Sequence, residues 1–262
     1  MRSSAVLRRH HRAIRAATAA GCACALPAAL SVSTVLVATA TAHAQTVATI
    51  TPLLSPDRLG ATGALSFTIQ YADSAANIPP PMRRSILRFP AGLTLEVPRL
   101  SSCSVSRLRA RGADGCPADS MLGRGHALIE AQVGSQTIAE NVSLWVFLGP
   151  LHNLAPTVEI LGQGYTPYDE RVVLSGTMLP AGGPYGEALS LSIPPISTLP
   201  LEPDASIVTF SLTIGAPVQH RAHDANTVRL PAICPQGGFP FAAEFTYADG
   251  SSGSSVTTVP CP

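Results

Sequence analysis

The chain has 262 residues, 46% hydrophobic and 13% charged, with 24 prolines, 21 glycines and a formal net charge of +1. An apolar fraction this high excludes a disordered chain, and glycines without a period of three exclude a collagen-like one. All 17 basic residues are arginine, so the near-neutral balance is struck without lysine.

The first elements are those of an export signal. Arg2, Arg8, Arg9, Arg12 and Arg15 precede an apolar run over 16–40 that ends in Ala42-His43-Ala44, an Ala-x-Ala cleavage pattern. Cleavage is expected after Ala44, making residues 1–44 a signal peptide and 45–262 the mature chain. The expected localisation is secreted or cell-surface, with no transmembrane segment in the mature chain, because threonines, serines and Pro27 make the run weakly apolar for a membrane span. The mature chain keeps 12 arginines against 16 carboxylates, a net charge of about −4 that argues against nucleic acid as a partner. It also keeps four cysteines, Cys103, Cys116, Cys234 and Cys261, which in an exported chain read as two disulfides. Local pairing, Cys103 with Cys116 and Cys234 with Cys261, is preferred because each pair brackets a turn-rich segment; pairing between the segments stays open.

From there the pattern is almost entirely one of strands. Thr46 to Leu54 opens it, and Leu65, Phe67, Ile69 and Tyr71 alternate with Ser66, Thr68 and Gln70 over 64–72. Pro79-Pro80-Pro81 forces an extended connection, after which strands are expected at 85–89 and 93–97. The segment from Cys103 to Cys116 breaks the alternation. Ser104 is placed to cap a short helical turn through Val105–Arg111 that Gly112 stops, the only helix expected in the mature chain. Strands resume at 126–133 and 138–148, the latter including 142–148, which is apolar on both faces and so a candidate central strand. Further strands are expected at 157–161, 171–179, 189–193 and 208–214. The chain closes on a hairpin: Phe241, Ala243, Phe245 and Tyr247 share one side, Asp249-Gly250-Ser251-Ser252-Gly253 turns, and 256–259 returns. About ten short strands with frequent turn signals predict an all-β fold, an antiparallel β-sandwich of Ig-like or jelly-roll-like type, with one short helical turn in a disulfide-closed loop. Phe67-Thr68-Ile69-Gln70-Tyr71 echoes Phe245-Thr246-Tyr247, which raises the alternative of two related β halves.

Candidate chemistry is sparse. Eight of the twelve mature arginines fall in 83–124, giving that window a charge of +5. Arg107, Arg109 and Arg111 within it are the candidate anion-binding residues, a solvated helical face being the alternative reading. Tyr165, Tyr168, Asp169 and Glu170 form a candidate ligand loop, since tyrosines present a flat apolar face beside polar groups. Asp169-Glu170, or Glu130 with Glu140, would be the carboxylates of a glycosidase. His220, His223 and Asp224 would suit a metal only on a helix, and Pro217 places them in a loop, so no metal and no cofactor are expected. The chain has no Gly-x-Ser-x-Gly pentad, and its cysteines are committed to disulfides, so no catalytic residue is assigned.

Cys103 with Cys116-Pro117-Ala118-Asp119-Ser120 and Gly123, taken with Cys234-Pro235, Gly237-Gly238-Phe239-Pro240-Phe241, Phe245-Thr246-Tyr247-Ala248-Asp249-Gly250 and Val259-Pro260-Cys261, resembles a group of uncharacterised exported bacterial proteins. In that group a cysteine-bearing knuckle precedes β-rich sequence and a C-terminal hairpin. The likeness spans most of residues 50–262, its motifs are structural, and it implies no activity. The function expected is that of an exported, non-catalytic cell-surface or wall-associated protein with a structural or binding role. Its partner would be a cell-wall polymer, a glycan or an acidic surface protein. The alternative is a secreted carbohydrate-active hydrolase.

Overall fold

The computed structural model describes residues 46–73, 78–97, 100–165, 169–215 and 227–262. Among these residues the chain forms thirteen strands and one α-helix: β1 Thr46–Ser55, β2 Thr62–Asp73, β3 Met82–Pro90, β4 Thr94–Leu95, α1 Val105–Arg111, β5 Met121–Val133, β6 Gln136–His152, β7 Ala155–Gly164, β8 Glu170–Pro180, β9 Tyr185–Ser192, β10 Ser206–Ile214, β11 Val228–Arg229, β12 Phe239–Tyr247 and β13 Ser252–Val259. The expected signal peptide lies outside the described residues.

Alternation dictates which way each strand faces. Leu65, Phe67, Ile69 and Tyr71 of β2 are all buried, while Ser66 and Thr68 between them exchange 2.9 Å hydroxyl hydrogen bonds with Thr213 and Ser211 of β10 on the opposite face. The same period buries Phe241, Ala243, Phe245 and Tyr247 of β12 and exposes Glu244 and Thr246. All pairings are antiparallel, in the order β13-β12-β3-β9-β8-β7-β6-β5-β10-β2, with β1 also on β2 and the two-residue β11 and β4 continuing beyond it. The ladders make one open sheet, which curls. Tyr71 of β2 meets Phe245 of β12 edge-on with centroids 5.0 Å apart, and the Ile50 amide of β1 donates to Ser255 Oγ of β13 at 3.2 Å. These contacts bring the two ends of the sheet together around a single main core.

Both disulfides form as the local pairing expects, Cys103–Cys116 and Cys234–Cys261, with Cα separations of 5.4 and 6.0 Å that lie in the usual range. The helix falls on Val105–Arg111, with Ser104 Oγ accepting from the Arg107 amide and Gly112, at φ +67°, stopping it. The strand expected over 93–97 shrinks to Thr94–Leu95, because its partner β11 offers only two residues to pair with. That partner carries no alternation of its own and was not expected.

The knuckle of residues 101–120 lies against the outer face of the sheet. Leu108 of α1 and Cys103, both fully buried, pack with Phe147, Leu161 and Val173 as a second cluster, with Trp145 at its edge. This explains why β6 is apolar on both faces: Leu144, Val146 and Leu148 enter the main core, while Trp145 and Phe147 lie under the knuckle. The Cys103 amide donates to the Leu148 carbonyl at 2.8 Å, tying the knuckle to β6 beyond the residue where β5 stops pairing. Asp119 accepts from both the amide and hydroxyl of Ser101, closing the knuckle at its base.

Candidate functional site

Two places gather chemistry: the exposed side of the knuckle, and a cavity inside the sheet. On the knuckle, Leu108 points into the sheet; Arg107 and Arg109 flank it on either side, Arg111 follows it almost one turn on, and all three are exposed. The guanidinium of Arg171, from β8, sits beside Gly112, about 3.5 Å from where a Cβ would stand. Among the described residues none of these four arginines lies within ion-pair distance of a carboxylate. Arg83 and Arg88, by contrast, are engaged by Asp204 at 3.0 Å and by Glu244 at 2.6 Å, and Arg99 lies outside the described residues. Register extends the basic side across the sheet: Arg124 of β5 is directly opposite Trp145, and His126, Ser143, Gln163 and Arg171 form the neighbouring row.

Beneath this surface lies Glu159 of β7, 5% exposed. Burial holds its carboxyl above the ordinary glutamate range, while a 2.6 Å hydrogen bond from Ser175 Oγ and the nearby charge of Arg109 pull the other way.

The cavity, about 120 Å³, opens at the other face between β5, β6, β7, β8, β10 and the loop after β9. Aliphatic side chains such as Ile129, Val142, Val172 and Ile207 line it, and its ionisable lining groups among the described residues are Glu140 and Glu170. The space follows from sequence. Gly162 and Gly164 fall on the inward side of β7, where any other residue would place side chains among Leu144, Val142 and the Glu140 carboxylate. Glu140 accepts from the Tyr165 amide, which fixes its carboxylate beside Gly164. Burial raises the pKa of Glu170, which is paired in register with Gly164.

The candidate ligand loop is thus split by the pleat. Asp169 accepts from Gln163 at 3.1 Å, whereas Glu170 lines the cavity; Tyr165 is exposed, and Tyr168 lies outside the described residues. Neither carboxylate pair imagined from sequence forms. Glu140 is opposite Ile129 and shares its face, so Glu130, one residue on, points the other way, and Asp169 and Glu170 diverge for the same reason. The carboxylates that do approach one cavity are Glu140 and Glu170, two strands apart. The legible trace of that was Gly162-x-Gly164, two missing side chains on one face of a strand. His126 and His152 are exposed, and His220, His223 and Asp224 lie outside the described residues.

Comparison with known proteins finds no match to a protein family, to a curated protein or to a solved structure. Among the described residues no helix is long and apolar enough to cross a membrane.

Proposed function

We propose that this is an exported, non-catalytic binding or structural protein of the cell surface or wall, a disulfide-stapled β-sandwich whose arginine knuckle holds an anionic polymer. The observation that carries the reading is that Arg107, Arg109 and Arg111 of the knuckle, with Arg171 beside its Gly112, are exposed and form no ion pair with a carboxylate among the described residues. Guanidinium forks suit carboxylate and phosphate groups, and a knuckle anchored by Leu108 and a disulfide loses little entropy when it binds. Arg124, exposed and opposite Trp145 in register, adds a further guanidinium on the same face of the sheet. The experiment is retention of the protein on an acidic wall polymer and on a neutral glycan across a salt series. Changing Arg107, Arg109 and Arg111 together to Ala should weaken retention on the acidic polymer about tenfold or more and flatten its salt dependence. Unchanged retention would remove the knuckle from the account.

A secreted carbohydrate-active hydrolase is the second reading, favoured by the approach of Glu140 and Glu170 to one cavity. The aliphatic remainder of the lining speaks against a sugar there, since hydroxyls need polar partners when buried. Turnover of an aryl glycoside, abolished by Glu140→Gln, would put this reading first.

A further inference from the structure

We infer that the cavity between β5, β6, β8 and β10 is a binding site for an unbranched, uncharged aliphatic chain of about six carbons. This site is separate from the arginine knuckle, on the other face of the sheet. The size follows from the volume: about 120 Å³ is close to the apolar cavity of about 150 Å³ that admits benzene. The shape follows from register. Ala127, Ile129, Ala131 and Val133 line the cavity from one face of β5, a row about 20 Å long, with Val142 and Ile138 of β6 opposite Ala127 and Ala131. On β7, Gly162 keeps the slot clear, since a Cβ there would stand 3.4 Å from the side chains of both Leu144 and Val142. So small a volume drawn out along so long a row is narrow, and a linear chain fills it better than a ring.

The chemistry follows from the lining. Ile129, Val142, Val172 and Ile207 offer no hydrogen bond and gain from being covered. Among the described residues no arginine or histidine lines the cavity, so a carboxylate brought in would be buried without a partner. Nor does the site call for a cation: Glu140 already accepts from the Tyr165 amide, and burial shifts Glu170 towards its neutral form. Enclosure comes from the loop after β9. β6 pairs with β5 as far as Gln136 but with β7 only from Ser143 on, so Ile138 lies where β6 overhangs β7. The loop lies along this overhang. Its Ile196 and Leu199 line the cavity, the Ala205 amide closes the loop on the Ile196 carbonyl at 2.8 Å, and Glu202 accepts from the Gly134 amide of the β5–β6 turn at 3.3 Å. The slot is therefore roofed by the chain itself and is not an open sheet face.

The test is titration of the protein with linear alcohols from butanol to decanol, followed by methyl NMR shifts of Ile129, Val172 and Ile207. Affinity is expected to rise about fourfold with each added methylene up to hexanol and to level off beyond it, where further carbons stay outside the slot. Cyclohexanol, hexanoate and hexylamine should each bind about tenfold or more weakly than hexanol. Ala131→Leu, which fills the slot without touching a charge, should remove hexanol binding, whereas Ile129→Ala, which widens it, should let cyclohexanol bind as well as hexanol. The two changes act in opposite directions, so the result does not hang on the folding of one variant. Affinity independent of chain length, cyclohexanol or hexylamine held by the wild type as tightly as hexanol, hexanol binding that survives Ala131→Leu, or the absence of methyl shifts with every probe would each overturn the assignment. Retention on acidic polymer should be unaffected by Ala131→Leu, so failure here and failure of the arginine knuckle are separate results.

Discussion

Glu159 places an ionisable group where the fold has little room for a charge. It is the single ionisable residue among the buried polar groups described, and burial keeps its proton on to higher pH than in an unfolded chain. A group whose folded pKa is raised lends stability that is full below its unfolded pKa and is lost as pH rises through the folded value. Glu159→Gln keeps a hydrogen-bonding group near Ser175 while removing this titration, so it should raise Tm at neutral pH and narrow the gain that the wild type shows on mild acidification. Melting curves from about pH 4 to pH 8 check this, a window that covers the ordinary glutamate pKa and the region above it. Parallel wild-type and variant profiles would place the charge of Glu159 outside the stability balance. Gly125 shows the opposite constraint, of space: a Cβ there would stand 1.9 Å from the Ser211 carbonyl oxygen, so β5 pairs with β10 only because the position has no side chain. Gly125→Ala should cost about 2 kcal/mol or more in urea unfolding, through displacement of that ladder.

The knuckle is the element whose form and position have different causes. Its helix is local, set by Ser104 and Gly112, but seven residues do not hold a helix in water, and the stability comes from Leu108 lying on Phe147, Leu161 and Val173. Leu108→Ala is expected to cost about 2–5 kcal/mol, the range for a fully buried leucine whose site only partly collapses. Replacing Cys103 and Cys116 together by Ser is expected to cost about 3 kcal/mol through freedom returned to the unfolded loop. Denaturation midpoints of the two variants would rank the contributions; a negligible loss in Leu108→Ala would mean that the bridge, not the packing, seats the helix.

At the scale of the molecule, one main core runs through strands from both ends of the chain, and the single Trp145 belongs instead to the cluster beneath the knuckle. Indole fluorescence therefore reports the knuckle and far-ultraviolet dichroism the sheet. The two should trace one coincident urea transition in the wild type and separate when the Cys103–Cys116 bridge is reduced, fluorescence changing first. Separate transitions already in the wild type would show that the knuckle and sheet fold independently. What the sequence determined by itself was local. Period-2 alternation marked most strands, since a half-buried strand must face core and solvent in turn; capping residues marked the helix, and turn-rich segments favoured local cysteine pairing without deciding it. What the tertiary structure alone decided was long-range. Pairing order sets β2 beside β10, more than a hundred residues away, and curls an open sheet until Tyr71 meets Phe245. Only that order brings Arg171 to the end of α1 and sets Glu140 and Glu170 around two glycines, because alternation fixes which face a residue takes but not which strand will lie next to it.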